Sequence, residues 1–306
     1  MKGDKPIMYD IIIIGGGPAG LTAALYSVRS GKKVLLFEKI GFGGQIAKSP
    51  LVENYPAVKS ISGTEFSENL RSQAESFGCE FRKETVTSVL DGDVKKVITQ
   101  KGEYEARSVI FALGTEEKKL GLENEEKYVG RGLSYCAYCD GNFFRNREVA
   151  VVGGGNTAVQ DALYLSDICK KVYLVHRRNE FRAEKNLVEK AALKENIELV
   201  TDSVPTEIGG TPIVQYLKVK NKLSGEEREL SVNGVFMAIG QLPLTKDFAD
   251  VLPLDEGGYV VAGEDCTVKD GIYVCGDCRK KEIRQLTTAV SDGTVAAAKA
   301  IEFINS

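Results

Sequence analysis

Two cysteines separated by two residues, Cys136-Ala137-Tyr138-Cys139, are followed directly by Asp140 and Gly141. That spacing suits a reversible disulfide whose thiols exchange with a partner. It also suits half of a zinc site, completed by the close pair Cys275 and Cys278. Asp140 adjoins a thiol that gains and loses a proton, so a partly buried carboxyl there is a natural proton donor; its other reading is a turn-forming Asp before Gly141. Cys79, Cys169 and Cys266 read as small core hydrophobes. Cys275 closes an apolar strand and either fills space or joins Cys278 in a second disulfide.

A second chemistry lies in two glycine-rich turns. Tyr9–Ile14 is a continuous β-branched run of the kind buried on both faces of a parallel sheet, and Gly15-Gly16-Gly17-Pro18-Ala19-Gly20 follows at once. Leu21, Ala24, Leu25 and Val28 then recur at helical spacing, and a second strand, Val34–Phe37, ends at Glu38. In such a unit Gly15 permits the tight turn, Gly17 admits a pyrophosphate close to the backbone, and Gly20 lets the helix approach the strand. The helix start offers unpaired N–H groups to the anion. Glu38, 21 residues beyond Gly17, stands where a carboxylate accepts hydrogen bonds from an adenosine ribose.

The unit recurs. Glu148–Val152 leads into Gly153-Gly154-Gly155-Asn156-Thr157-Ala158, then a helix and the strand Val172–Val175. Gly15 to Gly153 and Glu38 to His176 are both offsets of 138 residues, so two βαβ units align over their whole length. Where the first ends in a carboxylate, the second has His176, Arg177 and Arg178, with Arg182 a helical turn beyond. Guanidinium groups pair with the 2′-phosphate of NADPH, which a carboxylate would repel. The spacing therefore predicts FAD or NAD at the first turn and NADPH at the second, with a solvated basic loop as the alternative. His176, the only histidine, is either a strand-end residue or a general acid–base group. Together these features describe a circuit in which electrons pass from NADPH through a flavin to the thiol pair and on to an outside acceptor.

The elements that must carry these groups imply an α/β protein of two Rossmann-like three-layer nucleotide-binding domains, the second inserted into the first. Ser108–Leu113 runs into Gly114, and its counterpart Gly234–Ile239 into Gly240, which marks the crossings. Residues 1–115 and 242–306 are expected to form the first domain, because the closing segment is too short to fold comfortably alone. Residues 116–241 form the second, which carries the CxxC. Val94–Gln100 with Glu103–Arg107, and Gln215–Val219 with Glu229–Val232, read as antiparallel hairpins. The final helix has its apolar residues at three- and four-residue spacing from Leu286 to Ile304.

Composition agrees with such a protein. The 306 residues hold 40 basic and 43 acidic side chains, a formal charge of −3, which gives no basic surface for nucleic acid. No run approaches the roughly 18 apolar residues of a membrane span. Met1–Asp10 lacks a cleavable leader pattern, and seven cysteines, an odd number in a large chain, argue against a secreted disulfide framework, so a cytoplasmic location is expected.

These residues resemble the low-molecular-weight, bacterial-type thioredoxin reductases over essentially the whole chain. The resemblance rests on Gly15–Gly20, Glu38, Gly43-Gly44-Gln45, Asn54-Tyr55-Pro56 and the CxxC-Asp-Gly block. It continues through Gly153–Ala158, His176-Arg177-Arg178 with Arg182, Gly276-Asp277 and Arg284-Gln285. It implies FAD in the first domain, held by Gly15, Gly17, Pro18, Ala19, Gly20 and Glu38 at the ADP half. Gly44, Gln45, Asn54 and Gly114 would lie toward the flavin, Gly276 and Asp277 toward the ribityl-pyrophosphate, and Arg284 and Gln285 over the cofactor. NADPH would meet Gly153, Gly155, Asn156, Thr157, Ala158, His176, Arg177, Arg178 and Arg182. Cys139 would face the flavin, Cys136 would attack the disulfide of thioredoxin, and Asp140 would be the acid. The resemblance further implies a homodimer and rotation of one domain about the crossings near Gly114 and Gly240.

Tyr138 departs from the small polar residue usual between the thiols. Gln160-Asp161 stands where two glutamates are frequent, Leu242-Pro243-Leu244 replaces a more polar run, and Cys278 replaces a frequent Val. Relatives without the arginines take electrons from ferredoxin; here they are present. Competing readings are a reductase of another small dithiol protein, glutaredoxin-like or peroxidase-linked, and a non-catalytic nucleotide-binding redox sensor.

Overall fold

A computed structural model describes residues 8–49 and 51–306. Of the opening stretch read above for a leader, residues 1–7 lie outside the described part. The first segment comprises β1 (Met8–Ile14), α1 (Pro18–Arg29), β2 (Val34–Glu38), α2 (Gly63–Ser76), β3 (Glu80–Lys83), β4 (Val86–Leu90), β5 (Lys95–Thr99), β6 (Gly102–Phe111) and β7 (Thr115–Glu117). The middle segment comprises α3 (Glu125–Tyr128), β8 (Leu133–Ser134), α4 (Ala137–Asp140), β9 (Glu148–Gly153), α5 (Asn156–Ser166), β10 (Lys171–Val175), α6 (Lys185–Ala192), β11 (Ile197–Val200), β12 (Ser203–Gly209), β13 (Tyr216–Asn221), β14 (Glu227–Ser231) and β15 (Gly234–Ala238). The chain closes with β16 (Gln241–Pro243), β17 (Thr267–Lys269), β18 (Ile272–Val274) and α7 (Leu286–Asn305). It divides into two compact units, one formed by residues up to Glu116 with Leu242–Ser306, the other by Glu117–Gln241.

In the first unit the sheet runs β17-β18-β6-β1-β2-β3, with the β4–β5 hairpin joined to β6. The pleat sends alternate side chains of β1 to opposite faces. Ile11 and Ile13 pack with Leu21 and Ala24 of α1 and Ala296 and Ala297 of α7. Ile12 and Ile14 pack on the other face with Val89, Val97, Phe248 and Leu252. Each such fully buried aliphatic side chain contributes about 1.5–3 kcal/mol relative to exposure. β6 departs from the sequence reading, which separates a hairpin arm at Glu103–Arg107 from a buried strand at Ser108–Leu113. It is one strand of ten residues. Along one edge its first half pairs antiparallel with β5 (Ile98 with Glu103, Lys95 with Ala106) and its buried second half parallel with β18 (Ile272 with Val109, Val274 with Phe111), while β1 runs parallel along the other edge from Glu105 to Phe111. The change of composition marks a change of neighbour rather than a break in the chain.

The second unit repeats the plan with a parallel sheet β11-β10-β9-β15-β8 and a three-stranded antiparallel sheet β12-β13-β14. Val149 and Val151 of β9 pack with Ala158, Ala162 and Leu165 of α5. Ala150 and Val152 pack with Leu217 and Leu230 of the antiparallel sheet. Helices, parallel sheet and antiparallel cover thus make three layers in each unit. The sequence reading finds two of the three covering strands; β12, interrupted by Pro205 and a register shift, escapes it. At the crossings β7 and β16 pair, flanked by bonds from Lys118 N–H to the Gly240 carbonyl (3.1 Å) and Leu244 N–H to the Gly114 carbonyl (3.2 Å).

Candidate functional site

Cys136 and Cys139 are joined in a disulfide across the single turn of α4. Cys136 is the N-cap of that turn, its Sγ accepting from the Cys139 N–H at 3.2 Å. The two residues between the sulfurs have opposite roles. Ala137, 1% exposed, is set into the α5 side of the core. Tyr138 is 52% exposed, and its ring stacks on Tyr164 of α5 with centroids 4.5 Å apart. One small buried residue therefore seats the disulfide, and the outer rim is aromatic.

Asp140 turns its side chain inward. Its Oδ2 accepts from Ser134 Oγ at 2.6 Å, and Ser134 Oγ in turn accepts from the Cys136 N–H at 3.0 Å. The turn-forming reading finds no bond, because Asp140 precedes the 3-10 turn Gly141–Phe144 without a side-chain cap. Burial raises the Asp140 pKa above the usual carboxylate value, and the Ser134 hydrogen bond opposes that rise. A carboxyl so placed holds a proton more readily than a solvated one.

Sequence reasoning missed two neighbours. Ser134 is a lone serine in a short strand, and nothing in its spacing distinguishes it. Asp161 stands out only as half of the Gln160-Asp161 departure. In the structure it is 6% exposed on α5, makes no hydrogen bond among the described residues, and is raised by desolvation to about 7. Its charge and the Tyr164 phenol add to the effect of burial in raising the Tyr138 pKa.

In the first unit the predicted residues gather at the carboxyl ends of β1, β2, β6 and β18, where open α/β sheets bind ligands. Gly15 has φ +113°, and a Cβ there would lie 2.2 Å from the Ala112 carbonyl oxygen, so only glycine makes this turn. Glu38 returns to the same turn: Oε2 accepts from Gly16 N–H (2.8 Å) and Oε1 from Ile40 N–H (2.9 Å). Gln45 Nε2 donates to the Thr115 carbonyl and hydroxyl, just beyond Gly114. Gly276 N–H donates to Asp292 Oδ2 (3.1 Å), whose carboxylate also receives Arg279 Nε and Nη2 and Lys281 Nζ, all at 3.0 Å. That buried cluster holds the turn carrying Asp277, and Arg284 Nε donates to the Asp277 carbonyl at 3.1 Å. Asn54 reaches Gln285 at 3.5 Å. Gln285 also caps α7 in a reciprocal box with Thr288.

That cap gives the test of cofactor fit. α1 and α5 begin at Gly17 and Gly155, whose backbones are extended and supply no side-chain cap. Nothing lies within 4 Å of a Cβ built on either glycine. Pro18, Ala19 and Gly20 continue the first uncapped turn, as Asn156, Thr157 and Ala158 continue the second. Both helix starts therefore present amide N–H groups into open space, as a bound pyrophosphate requires.

In the second unit His176 is buried beneath the turn Gly153–Gly155. Its ring stacks on Phe181 (4.9 Å), and Nε2 lies 3.2 Å from the Glu180 carbonyl, which makes that nitrogen the donor. Burial lowers its pKa and the carbonyl opposes this, while Arg177, Arg182 and Arg178 lower it further. The ring is a buried buttress in this setting, not an exposed acid–base group. Arg177, Arg178 and Arg182 are exposed and engage no carboxylate among the described residues, leaving three guanidinium groups for an anion. Asn156, by contrast, is bridged to Glu184 through both amide atoms (3.1 and 2.9 Å).

Cys275 and Cys278 are buried and not joined in a disulfide, and burial pushes both thiols up, Cys278 to about 11. Such thiols are poor nucleophiles. Cys79, Cys169 and Cys266 are likewise buried. Among the described residues no cluster of three or more His, Cys, Asp or Glu could hold a metal, and no helix is long and apolar enough to cross a membrane.

Comparison with known proteins follows the same lines. Residues 9–293 match the family model described as pyridine nucleotide-disulphide oxidoreductase. The chain is 42% identical over 300 residues to a thioredoxin reductase of Listeria innocua, covering 97% of this chain and 94% of that one. It is 41% identical to a thioredoxin reductase of Bacillus subtilis, covering 95% and 93%. The crystal structure of a thioredoxin reductase from Streptococcus pyogenes superposes with a TM-score of 0.93 at 39% identity, covering 98% of this chain and 99% of that one.

Proposed function

The chain belongs to the pyridine nucleotide-disulphide oxidoreductase family, within it to the low-molecular-weight, bacterial-type thioredoxin reductases, and from that premise we propose how it works. It is an enzyme that uses NADPH and FAD to reduce the disulfide of thioredoxin through Cys136 and Cys139. The observation that carries this reading is the disulfide itself, with an inward-turned carboxyl tied through Ser134 to the Cys136 amide.

Residues at the first glycine turn, with Glu38, Gln45, Asn54, Asp277, Arg284 and Gln285, hold FAD; those at the second, with the three arginines, hold NADPH. When bound, these groups supply the hydride chemistry that no side chain of this protein offers. The protein's own part is thiol exchange. The Cys136 thiolate attacks a partner sulfur, Asp140 protonates the departing thiolate, and Cys139 then attacks Cys136 in the mixed disulfide, closing the Cys136–Cys139 bond and releasing the second partner sulfur. The enzyme works as a homodimer in the cytoplasm. A second reading, another small dithiol carrier, is favoured at one point only: Tyr138 presents an exposed ring where the two sulfur centres must meet.

The test is anaerobic. Protein supplied with FAD is mixed with NADPH or NADH, and bleaching of the flavin band is followed before thioredoxin or glutaredoxin-type carriers are added. NADPH is expected to bleach the band more effectively than NADH, and thioredoxin to turn over. Cys136→Ser and Cys139→Ser are expected to bleach normally and to lose disulfide reduction. A folded protein that is colourless and binds no added FAD overturns the reading, as does unchanged turnover in either variant.

A further inference from the structure

Ser134 occupies a place that the thiol pair and its acid do not explain. It is buried at the end of β8, yet its single hydroxyl has three polar neighbours on the redox turn. The oxygen accepts from Cys136 N–H (3.0 Å), and its proton has two acceptors in reach, Asp140 Oδ2 (2.6 Å) and the Cys136 carbonyl (3.3 Å). One hydroxyl proton serves one of them at a time.

We propose that Ser134 is a positioning residue for thiol–disulfide exchange: its hydroxyl keeps the Asp140 carboxyl hydrogen-bonded in both protonation states while anchoring the Cys136 backbone. This rests on Asp140 as the exchange acid and specifies how that acid is held. When Asp140 is a carboxylate, the hydroxyl donates to it. When Asp140 carries a proton, the carboxyl donates to Ser134 Oγ and the hydroxyl proton turns to the Cys136 carbonyl. Neither state leaves a buried polar atom of this trio unpaired, which otherwise costs about 1–3 kcal/mol.

Exchange visits both states. The Cys136 thiolate forms a bond to one partner sulfur as the partner S–S bond breaks; the released partner thiolate takes the proton of Asp140. The carboxylate so formed accepts the proton of the Cys139 thiol. Cys139 then bonds to Cys136 and the second partner sulfur leaves with the electron pair of the mixed disulfide. The partner gains two electrons, the Cys136–Cys139 pair loses two, and Asp140 ends protonated as it began. The ionisable groups on the elements packed nearby are Tyr138 on α4 and Asp161 and Tyr164 on α5, and no Lys or Arg contributes to the Asp140 shift. A hydroxyl that follows the proton is therefore the local means of holding this carboxyl still.

The test uses holoenzyme reduced at the thiol pair and follows its single-turnover oxidation by three acceptors: thioredoxin, a cyclic alkyl disulfide, and an aromatic disulfide whose thiolate leaves unprotonated. The first two need a proton for the leaving sulfur; the third does not. Ser134→Ala is expected to slow the first two by about tenfold or more, a fraction of the 10²–10⁴ that general acid catalysis supplies. It should leave the aromatic acceptor within about twofold, on the same scale, and Ser134→Thr should retain wild-type rates. Equal slowing with all three acceptors, or no slowing with the alkyl disulfide, overturns the proposal. If wild-type enzyme uses the alkyl disulfide but not thioredoxin, the partner assignment falls while the comparison of acceptors still decides the role of Ser134.

Discussion

The imidazole of His176 occupies the space that a side chain at Gly154 would need. A Cβ built on Gly154 would lie 2.1 Å from the ring Cε1, 2.2 Å from Nδ1 and 2.6 Å from Nε2. The Gly154 carbonyl meanwhile accepts from Arg182 N–H (2.8 Å) and Ala183 N–H (3.2 Å), so one glycine fixes both the buttress below the turn and the basic loop beside it.

Gly154→Ala should therefore disturb the arginine loop without touching the first unit. Overpacking of this kind costs about 1–3 kcal/mol. The KM for NADPH is expected to rise by about tenfold, equivalent to about 1.4 kcal/mol within that range, with FAD content unchanged. Adding His176→Ala to the same chain relieves the contact, so a double-mutant cycle should show strong coupling. Additive effects would remove the contact as the cause.

The exposed arginines give a prediction about nucleotide choice. Replacing Arg177 and Arg178 together removes two charge-assisted contacts to a 2′-phosphate, each worth roughly 1.5–3 kcal/mol. NADPH kcat/KM should fall steeply while NADH is little changed. Steady-state kinetics with both nucleotides decide it, and equal losses would mean that the loop is only a solvated basic surface.

Asp161 makes stability depend on pH. Its folded pKa of about 7 stands above the ordinary carboxylate value of 3.8, so its contribution is most favourable below the lower value and is lost as pH rises through the upper one. The full span corresponds to a loss on the order of 4 kcal/mol. Asp161→Asn should flatten the fall in urea midpoint over that interval and leave the variant more stable than wild type at alkaline pH. Parallel pH profiles would show that the carboxyl is solvated in the folded state.

Much of the fold was legible because its signals are local. A β-branched run, three glycines and an apolar helix repeat reported β1–α1 and β9–α5, since strand burial and turn geometry depend on neighbouring residues. Legibility ended where one segment changes partner. β6 looks like two elements because one of its edges passes from β5 to β18 along its length. Gln285 falls within a motif that implies a cofactor contact, yet its side chain also caps a helix.

By its own order of residues the chain determined that it carries two nucleotide folds, a CxxC with an adjoining acid, and a carboxylate at one strand end opposed to arginines at the other. These follow from covalent spacing and side-chain chemistry, which folding does not alter. Tertiary structure alone decided that Asp140 turns from α4 to Ser134, that His176 is a sealed buttress, that Asp161 is buried without a hydrogen bond among the described residues, and that Cys275 and Cys278 lie in the core. Each of those outcomes depends on which distant element removes water from a polar group or supplies its hydrogen-bond partner, and that is a property of packing.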